Sequence, residues 1–415
     1  MKKFWLYINP YIFIWVKDKK GIFYNSKNFK NFQFVFSGPI EIMVNQLLDI
    51  DNMYCIVLTE IEMQDYKVSR FVNKVILTKS GFLMEISDNK RKPVSFIPHL
   101  KFMNKLDKVE NKSENIRDLD LYLRRSTFYI NGKCKLNCKE CDSIFKQIEF
   151  CTKSNYELSL YDLKKTLDRI QIFHLNQVDI LGGNISEHSE YSELGKLLNS
   201  YSFKSNLYFQ YLNFEEAGHM SSGLTQRINF ILLVDSIKNF KLTHILKDAI
   251  LKYSISWIFI MTSLEDYKKI QDIVKVNRLK NVQIKPFYNK RNLDFFKQYV
   301  FLNKKDILNL KLTKRDLFMN QVLNKYFFSK FVFSPNKKVY SNVNLESIGD
   351  LDEPIIELIL KELVTENSWR KTRFVVHPCT DCLYKNLCPP VSNYEFAIGQ
   401  YNLCNLKAVH VLVNT

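Results

Sequence analysis

The stretch Thr127-Phe128-Tyr129-Ile130-Asn131-Gly132-Lys133-Cys134-Lys135-Leu136-Asn137-Cys138-Lys139-Glu140-Cys141 governs how this chain of 415 residues is read. It begins with a short β-branched and aromatic run, the composition of a strand. It then passes directly into three cysteines spaced C-x3-C-x2-C. Three thiolates on one short loop suit one face of an iron–sulfur cubane and leave its fourth iron without a protein ligand. Structural zinc sites normally take four protein ligands. A zinc loop completed from a distance is the alternative that the spacing leaves open.

Downstream, short apolar runs alternate with amphipathic helical segments, the pattern of βα units around a parallel sheet. Strands are predicted at Thr127–Ile130, Gln177–Leu181, Leu207–Leu212, Ile228–Val234, Trp257–Met261 and Val282–Lys285, with helices such as Leu160–Phe173 and Leu264–Val274 between them. Such units in series predict an incomplete parallel barrel, whose ligands sit at the C-terminal ends of the strands. The cysteine loop leaves the first strand at that end.

Upstream, residues 1–104 predict strands at Phe4–Ile8, Ile12–Val16 and Gly21–Tyr24, helices at Ile40–Leu48 and Glu62–Val75, and an extended pair at Phe82–Ile86 and Val94–Ile97. The aromatics Phe4, Trp5, Tyr7, Tyr11 and Phe13 read as core. The polar segment Asn104–Asp118 reads as a boundary. Beyond residue 325 the pattern predicts a hairpin, Phe331–Phe333 with Lys338–Tyr340, a helix at Pro354–Glu366 and a loop-rich cysteine segment. The domains expected are therefore 1–104, 119–320 and 325–415.

A hydrophobic content of 46% argues for a packed chain, and the 11 glycines leave little room for flexible linkers. No run of 18 apolar residues occurs, which excludes the ordinary transmembrane helix. The apolar start, Phe4 to Val16, is broken by Asn9-Pro10 and lacks a small-residue cleavage site, so it reads as a strand pair rather than a signal peptide. A cytoplasmic protein is expected. The net charge of +17 is spread along the chain rather than gathered in a stripe. It reads mainly as compositional bias, and an acidic peptide is the partner that best uses it.

Seven of the nine cysteines fall in two groups, Cys134/Cys138/Cys141 and Cys379/Cys382/Cys388/Cys404. Clustering of this kind points to metal rather than to disulfides. The second group can ligate one iron–sulfur cluster fully, and equally a zinc ion. Cys55 and Cys151 stand apart and read as simple thiols, with an approach of Cys151, ten residues past Cys141, to the first group as the alternative.

The first cysteine spacing, on the loop after the first strand, resembles that of the radical S-adenosylmethionine (SAM) superfamily. After the second strand, Leu181-Gly182-Gly183-Asn184 resembles the family's segment of two glycines and a glutamate that holds the methionyl amino group. Gly182 and Gly183 let the backbone approach a ligand closely. Asn184 departs from the pattern, as does Glu140, which stands where the family often has an aromatic residue. Asp235, at the end of the fourth strand, resembles the polar position that contacts the SAM ribose, and also reads as a helix cap.

The C-terminal cysteines, with the hairpin around Pro335-Asn336 and Ile348-Gly349-Asp350-Leu351, resemble the SPASM domain of radical SAM peptide maturases. Asn342 and Ser392 stand where that domain has cysteines. The resemblance therefore implies one auxiliary cluster, on Cys379, Cys382, Cys388 and Cys404. In order and size, residues 1–104 resemble the winged-helix RiPP recognition element, with a family-specific cap as the alternative.

Together these resemblances imply an α/β fold: a partial (β/α)6 radical SAM barrel, an N-terminal winged-helix-like domain and a C-terminal SPASM-like domain. They imply two 4Fe–4S clusters, one SAM-binding and one auxiliary, and an oxidoreductase-type enzyme. A 5′-deoxyadenosyl radical would cross-link or oxidise a ribosomally made, leader-bearing peptide, with flavodoxin or ferredoxin as reductant. No acid or base is named by any motif. Two other readings stay open at this point: a non-catalytic relative that binds the peptide or a partner maturase, and a zinc-containing nucleic-acid-binding protein.

Overall fold

The structure is a computed structural model that describes residues 1–98, 122–136, 138, 140–216, 228–238, 240–365 and 367–406. The expected boundary segment at 104–118 lies outside these residues. The chain divides into two compact units built from non-contiguous segments.

The first unit comprises Met1–Met103, Leu302–Leu323 and Thr372–Pro390. Its strands are β1 (Lys3–Ile8), β2 (Ile12–Lys17), β3 (Lys20–Asn25), β4 (Asn31–Val35), β5 (Cys55–Thr59) and β6 (Gly81–Glu85). They form two antiparallel three-stranded sheets, in the orders β5-β1-β6 and β2-β3-β4. The helix Pro39–Leu48 starts with proline in its first turn and buries Ile40, Met43, Val44 and Leu47, a stripe at helical spacing.

The helix expected over Glu62–Val75 is two helices, Glu60–Gln64 and Tyr66–Leu77. Asp65 explains the break: its carboxylate accepts from the backbone N–H of Lys67 and Val68 and starts the second helix. The second helix packs Val68, Phe71, Val72 and Val75 into the core. The strand expected at Val94–Ile97 does not form, and Ser95 donates a backbone hydrogen bond to Met53. Strands β4 and β5 escaped the sequence reading. Buried Tyr24 ties the segments of this unit together. Its hydroxyl accepts from the N–H of Leu312 at 2.8 Å and lies 3.0 Å from the Leu312 carbonyl.

The second unit comprises Asn104–Phe301, Asn324–Lys371 and Val391–Thr415. Its strands are β7 (Arg125–Tyr129), β8 (Gln177–Leu181), β9 (Lys204–Gln210), β10 (Ile228–Val234), β11 (Ser254–Met261), β12 (Val282–Pro286), β13 (Lys330–Phe333), β14 (Lys338–Tyr340) and β15 (Gly349–Asp350). All belong to one sheet of order β12-β11-β10-β9-β8-β7-β13-β14-β15. From β12 to β13 the pairing is parallel, and β14 and β15 add antiparallel.

The fold is thus mixed α/β around a large, mostly parallel sheet, as the alternating pattern predicts. The expected hairpin does form, and its first strand extends this sheet beside β7. The strand expected to run to Leu212 ends at Gln210, where a helix, Tyr211–Glu216, begins.

One face of the sheet is covered by the helix that follows the third cysteine. Ile144 and Ile148 of Cys141–Ile148, with Phe150, pack on Leu233, Ile258 and Ile260. Opposite side chains of β11, Trp257 and Phe259, meet Phe240 edge to face. Strand alternation separates the two sets.

Candidate functional site

The C-terminal ends of four neighbouring strands meet around the first cysteine group. Cys134 and Cys138 lie in the loop leaving β7, and Cys141 is the first residue of the helix Cys141–Ile148. This loop is laced to the turn after β8. The Gly183 N–H donates to the backbone and side-chain oxygens of Asn131, both at 3.2 Å. Asn184 donates its N–H to the Lys133 carbonyl, and the Asn131 amide donates to the Asn184 carbonyl at 2.8 Å.

Asn131 is fully buried and holds the two segments in register. No motif marks it; only its place between the strand and the first cysteine hints at the role. The paired glycines are required by this packing. A Cβ on Gly183 would lie 2.3 Å from the Lys133 carbonyl oxygen, and one on Gly182 would lie 2.2 Å from Asn131 Oδ1.

The ends of β9 and β10 complete the site. Asn213 is buried, and its amide donates to Cys134 Sγ at 3.4 Å. Asp235 accepts from Gln210 Nε2 at 3.1 Å and is hydrogen-bonded to the Cys138 thiol. Burial, with the Asp235 charge next in weight, pushes that thiol up to about 12. The Cys141 thiol is also raised, chiefly by burial, and it hydrogen-bonds with Cys138. Cys151 lies within electrostatic reach of all three cysteines and of Asp235, and burial raises its thiol.

Among the described residues, no three His, Cys, Asp or Glu side chains are already gathered as ligands of one metal ion. The donor set nonetheless fits a cluster with one open position: three mutually interacting thiols on one loop, with an amide on one sulfur. Asn184 is buried, and its side-chain oxygen accepts from the Ser186 N–H and hydroxyl at 3.2 and 2.8 Å. It caps the short helical turn Ile185–Glu187.

Below these groups, on the same strands, lies a polar layer that no motif announced. Asn206 and Gln177 donate to Asp179 Oδ1 at 2.6 and 2.7 Å, and Asn229 donates onward to Asn206 at 3.1 Å. Burial raises the Asp179 carboxyl, against the pull of those donors. Lys330 pairs with Glu149, and burial lowers the Lys285 ammonium.

The sign of the Asp179 shift fixes a pH dependence. An unfolded aspartate titrates near about 3.9. A buried carboxyl with a raised value keeps its proton above that pH, so stability falls as pH rises from there through the folded value. Asp179→Asn keeps an oxygen for both amide donors and removes the charge. Melting temperatures of the two proteins should converge near about pH 4 and separate towards neutrality, with the variant the more stable. Parallel curves across that range would refute the assignment.

Of the second group, Cys379, Cys382 and Cys388 belong to the first unit and Cys404 to the second. The helical turn Cys379–Asp381 brings the Cys382 N–H onto the Cys379 carbonyl at 2.9 Å. Cys379 is buried, and Arg373 donates to its sulfur at 3.8 Å. The two positions that resemblance marks as missing cysteines are both engaged in hydrogen bonds. Buried Asn342 donates to Asn393 Oδ1 at 2.9 Å, and Ser392 caps the helix Asn393–Ile398 in a box with Glu395.

No family model matches the chain, and no curated protein matches it. Among solved structures it is similar to Streptococcus suis SuiB bound to S-adenosylmethionine, at 13% identity and a TM-score of 0.47, covering 97% of this chain and 100% of that one. SuiB alone gives 13% and 0.47 over 96% and 100% of the two chains. SuiB bound to precursor peptide SuiA gives 13% and 0.48 over 97% and 100%.

Proposed function

We infer that this chain is a radical SAM enzyme that modifies a peptide. The observation that carries the reading is the convergence of Cys134, Cys138 and Cys141 with the Gly182-Gly183 turn, Asn213 and Asp235 at the C-terminal ends of adjacent parallel strands. That is where folds of this type bind ligands. Cys134, Cys138 and Cys141 would hold a 4Fe–4S cluster. When bound there, the cluster supplies an open iron for SAM and the electron for its reductive cleavage.

The protein's own residues orient and enclose. Gly182 and Gly183 present backbone without side chains, Asn184 presents the turn that follows, and Asp235 offers a carboxylate at the end of β10. The apolar set Ile144, Ile148, Phe150, Leu233, Ile258 and Ile260 keeps water from the face beneath. Cys379, Cys382 and Cys388, with Cys404 as the fourth thiolate, would hold the auxiliary cluster. The domains fall to a recognition module near 1–104, a partial barrel over 119–320 and a SPASM-like region over 325–415. Flavodoxin or ferredoxin would deliver the electron in a cytoplasmic setting; among the described residues no helix is long and apolar enough to cross a membrane.

The first unit supports the peptide part of the reading. Among the described residues β4 pairs with β3 alone, which leaves one strand edge open. Beside it the helix Tyr66–Leu77 borders a groove of ≈660 Å³ whose lining includes Lys20, Lys67, Arg70, Lys74 and Lys304 and, among the described residues, no acid. An acidic, extended leader segment would add to the strand edge by main-chain hydrogen bonds and meet those cations. Replacing Lys67, Arg70 and Lys74 together by Glu should weaken binding of a labelled Asp/Glu-rich peptide by about tenfold or more, on roughly 1 kcal/mol per solvent-screened charge. Unchanged anisotropy curves would remove the groove from the reading.

The decisive experiment is anaerobic reconstitution, with iron and sulfide counted alongside 5′-deoxyadenosine formation under dithionite. About eight irons per chain with SAM cleavage is the expected result for two four-iron clusters. About four irons without cleavage would leave a peptide-binding relative, and bound zinc would leave the zinc protein.

A further inference from the structure

The two cysteine groups differ in the charge set against their sulfurs. At the first, the neutral amide of Asn213 meets Cys134, and the carboxylate-bearing Asp235 meets Cys138. At the second, the guanidinium of Arg373 meets Cys379.

Arg373 is itself buried. It donates through Nε to the Pro389 carbonyl at 2.8 Å and through one terminal nitrogen to the Pro390 carbonyl at 3.2 Å, while the other faces Cys379 Sγ. One rigid fork therefore joins the first cysteine of the segment to the backbone just past Cys388. Two further cations border the loop. Lys385 donates to the Thr380 carbonyl at 2.8 Å, and Lys17 pairs with Asp381 at 3.0 Å, which offsets the one acid in the loop.

We propose that Arg373 is the positioning residue of the second cysteine centre, holding Cys379 and the Cys388-Pro389-Pro390 turn in ligating shape and keeping the centre's reduction potential above that of the first. The reasoning rests on the cluster reading given above. Donors to cluster sulfurs and nearby positive charge stabilise the reduced, more negative form, while an adjacent carboxylate does the reverse. No motif singles out Arg373, which lies six residues before Cys379 in Arg373-Phe374-Val375-Val376-His377-Pro378-Cys379.

The test uses full-length, reconstituted protein: the wild type, Arg373→Met and Arg373→Lys, with iron counts and potentiometric EPR titration of both centres. Arg373→Met should lower the potential of the second centre and leave the first unchanged, or lose about half of the iron. Arg373→Lys, which keeps the charge, should restore the iron and much of the potential. Wild-type iron with unmoved potentials in Arg373→Met would overturn the proposal. So would equal loss of iron in both variants, which would assign Arg373 to packing alone. A wild-type protein that takes up no iron would instead refute the underlying cluster reading, so the two failures are distinguishable.

Discussion

Replacing Cys138 by alanine should abolish SAM cleavage, lower the iron content from about eight to about four per chain, and leave the fold in place. Cys138 is the middle thiol of the three, hydrogen-bonded to both Asp235 and Cys141. Removing it leaves two thiols on a loop that needs three. The side chain is small and only partly buried, so the structural cost should stay near about 1 kcal/mol, typical of a point substitution. An unchanged circular dichroism spectrum with half of the iron would tie the loss to the first site. Cleavage at the wild-type rate would end the assignment of these cysteines.

The second large effect is expected at a residue that is no ligand at all. Gly183→Ala should lose most of the first-site iron, and with it SAM cleavage by about tenfold or more, on roughly 1–3 kcal/mol of overpacking strain. The new methyl group would meet backbone: the Lys133 carbonyl oxygen at 2.3 Å and the carbonyl carbons of Gly132 and Lys133, each at 2.7 Å. No side chain can swing away to relieve that clash. The loop must move instead, one residue from Cys134, breaking the bonds from Gly183 and Asn184 to Asn131 and Lys133. Gly182→Ala meets a side-chain oxygen first, that of Asn131, so its effect should be smaller. Iron counts and EPR of the two variants side by side check the ranking. Equal retention of the cluster in both would show that the turn does not support the loop.

Much of the large sheet was legible because its strands are short apolar runs flanked by polar helices, and each run survives as one strand within a few residues. The position of the cysteine loop after a strand of this sheet was legible from the apolar run that precedes it, Thr127–Ile130. What escaped depends on partners far along the chain. Asn131 looks like any polar residue after a strand until Asn184, 53 positions later, is placed beside it. Asn213 carries no signal before Cys134, 79 positions away, is known to accept from it. The first unit hides its extent in the same way, since Tyr24 meets Leu312 across 288 positions. Strands β4 and β5, Asn31–Val35 and Cys55–Thr59, were not read from the sequence, although strands as short as Arg125–Tyr129 and Gln177–Leu181 were.

The helix that carries Cys141 is fastened by groups from late in the chain. Asn393 and Asn344 both donate to the Lys146 carbonyl, at 2.8 and 2.9 Å, and Gln147 exchanges hydrogen bonds with the backbone of Tyr288. The Asn393 bond spans 247 positions. Such long-range closure is slow to form, and on a ribosome it waits until residue 393 has emerged. The loop of three cysteines is synthesised well before the groups that fasten its helix. A truncation shortly before residue 393 should therefore leave the first loop unable to retain the iron proposed for it.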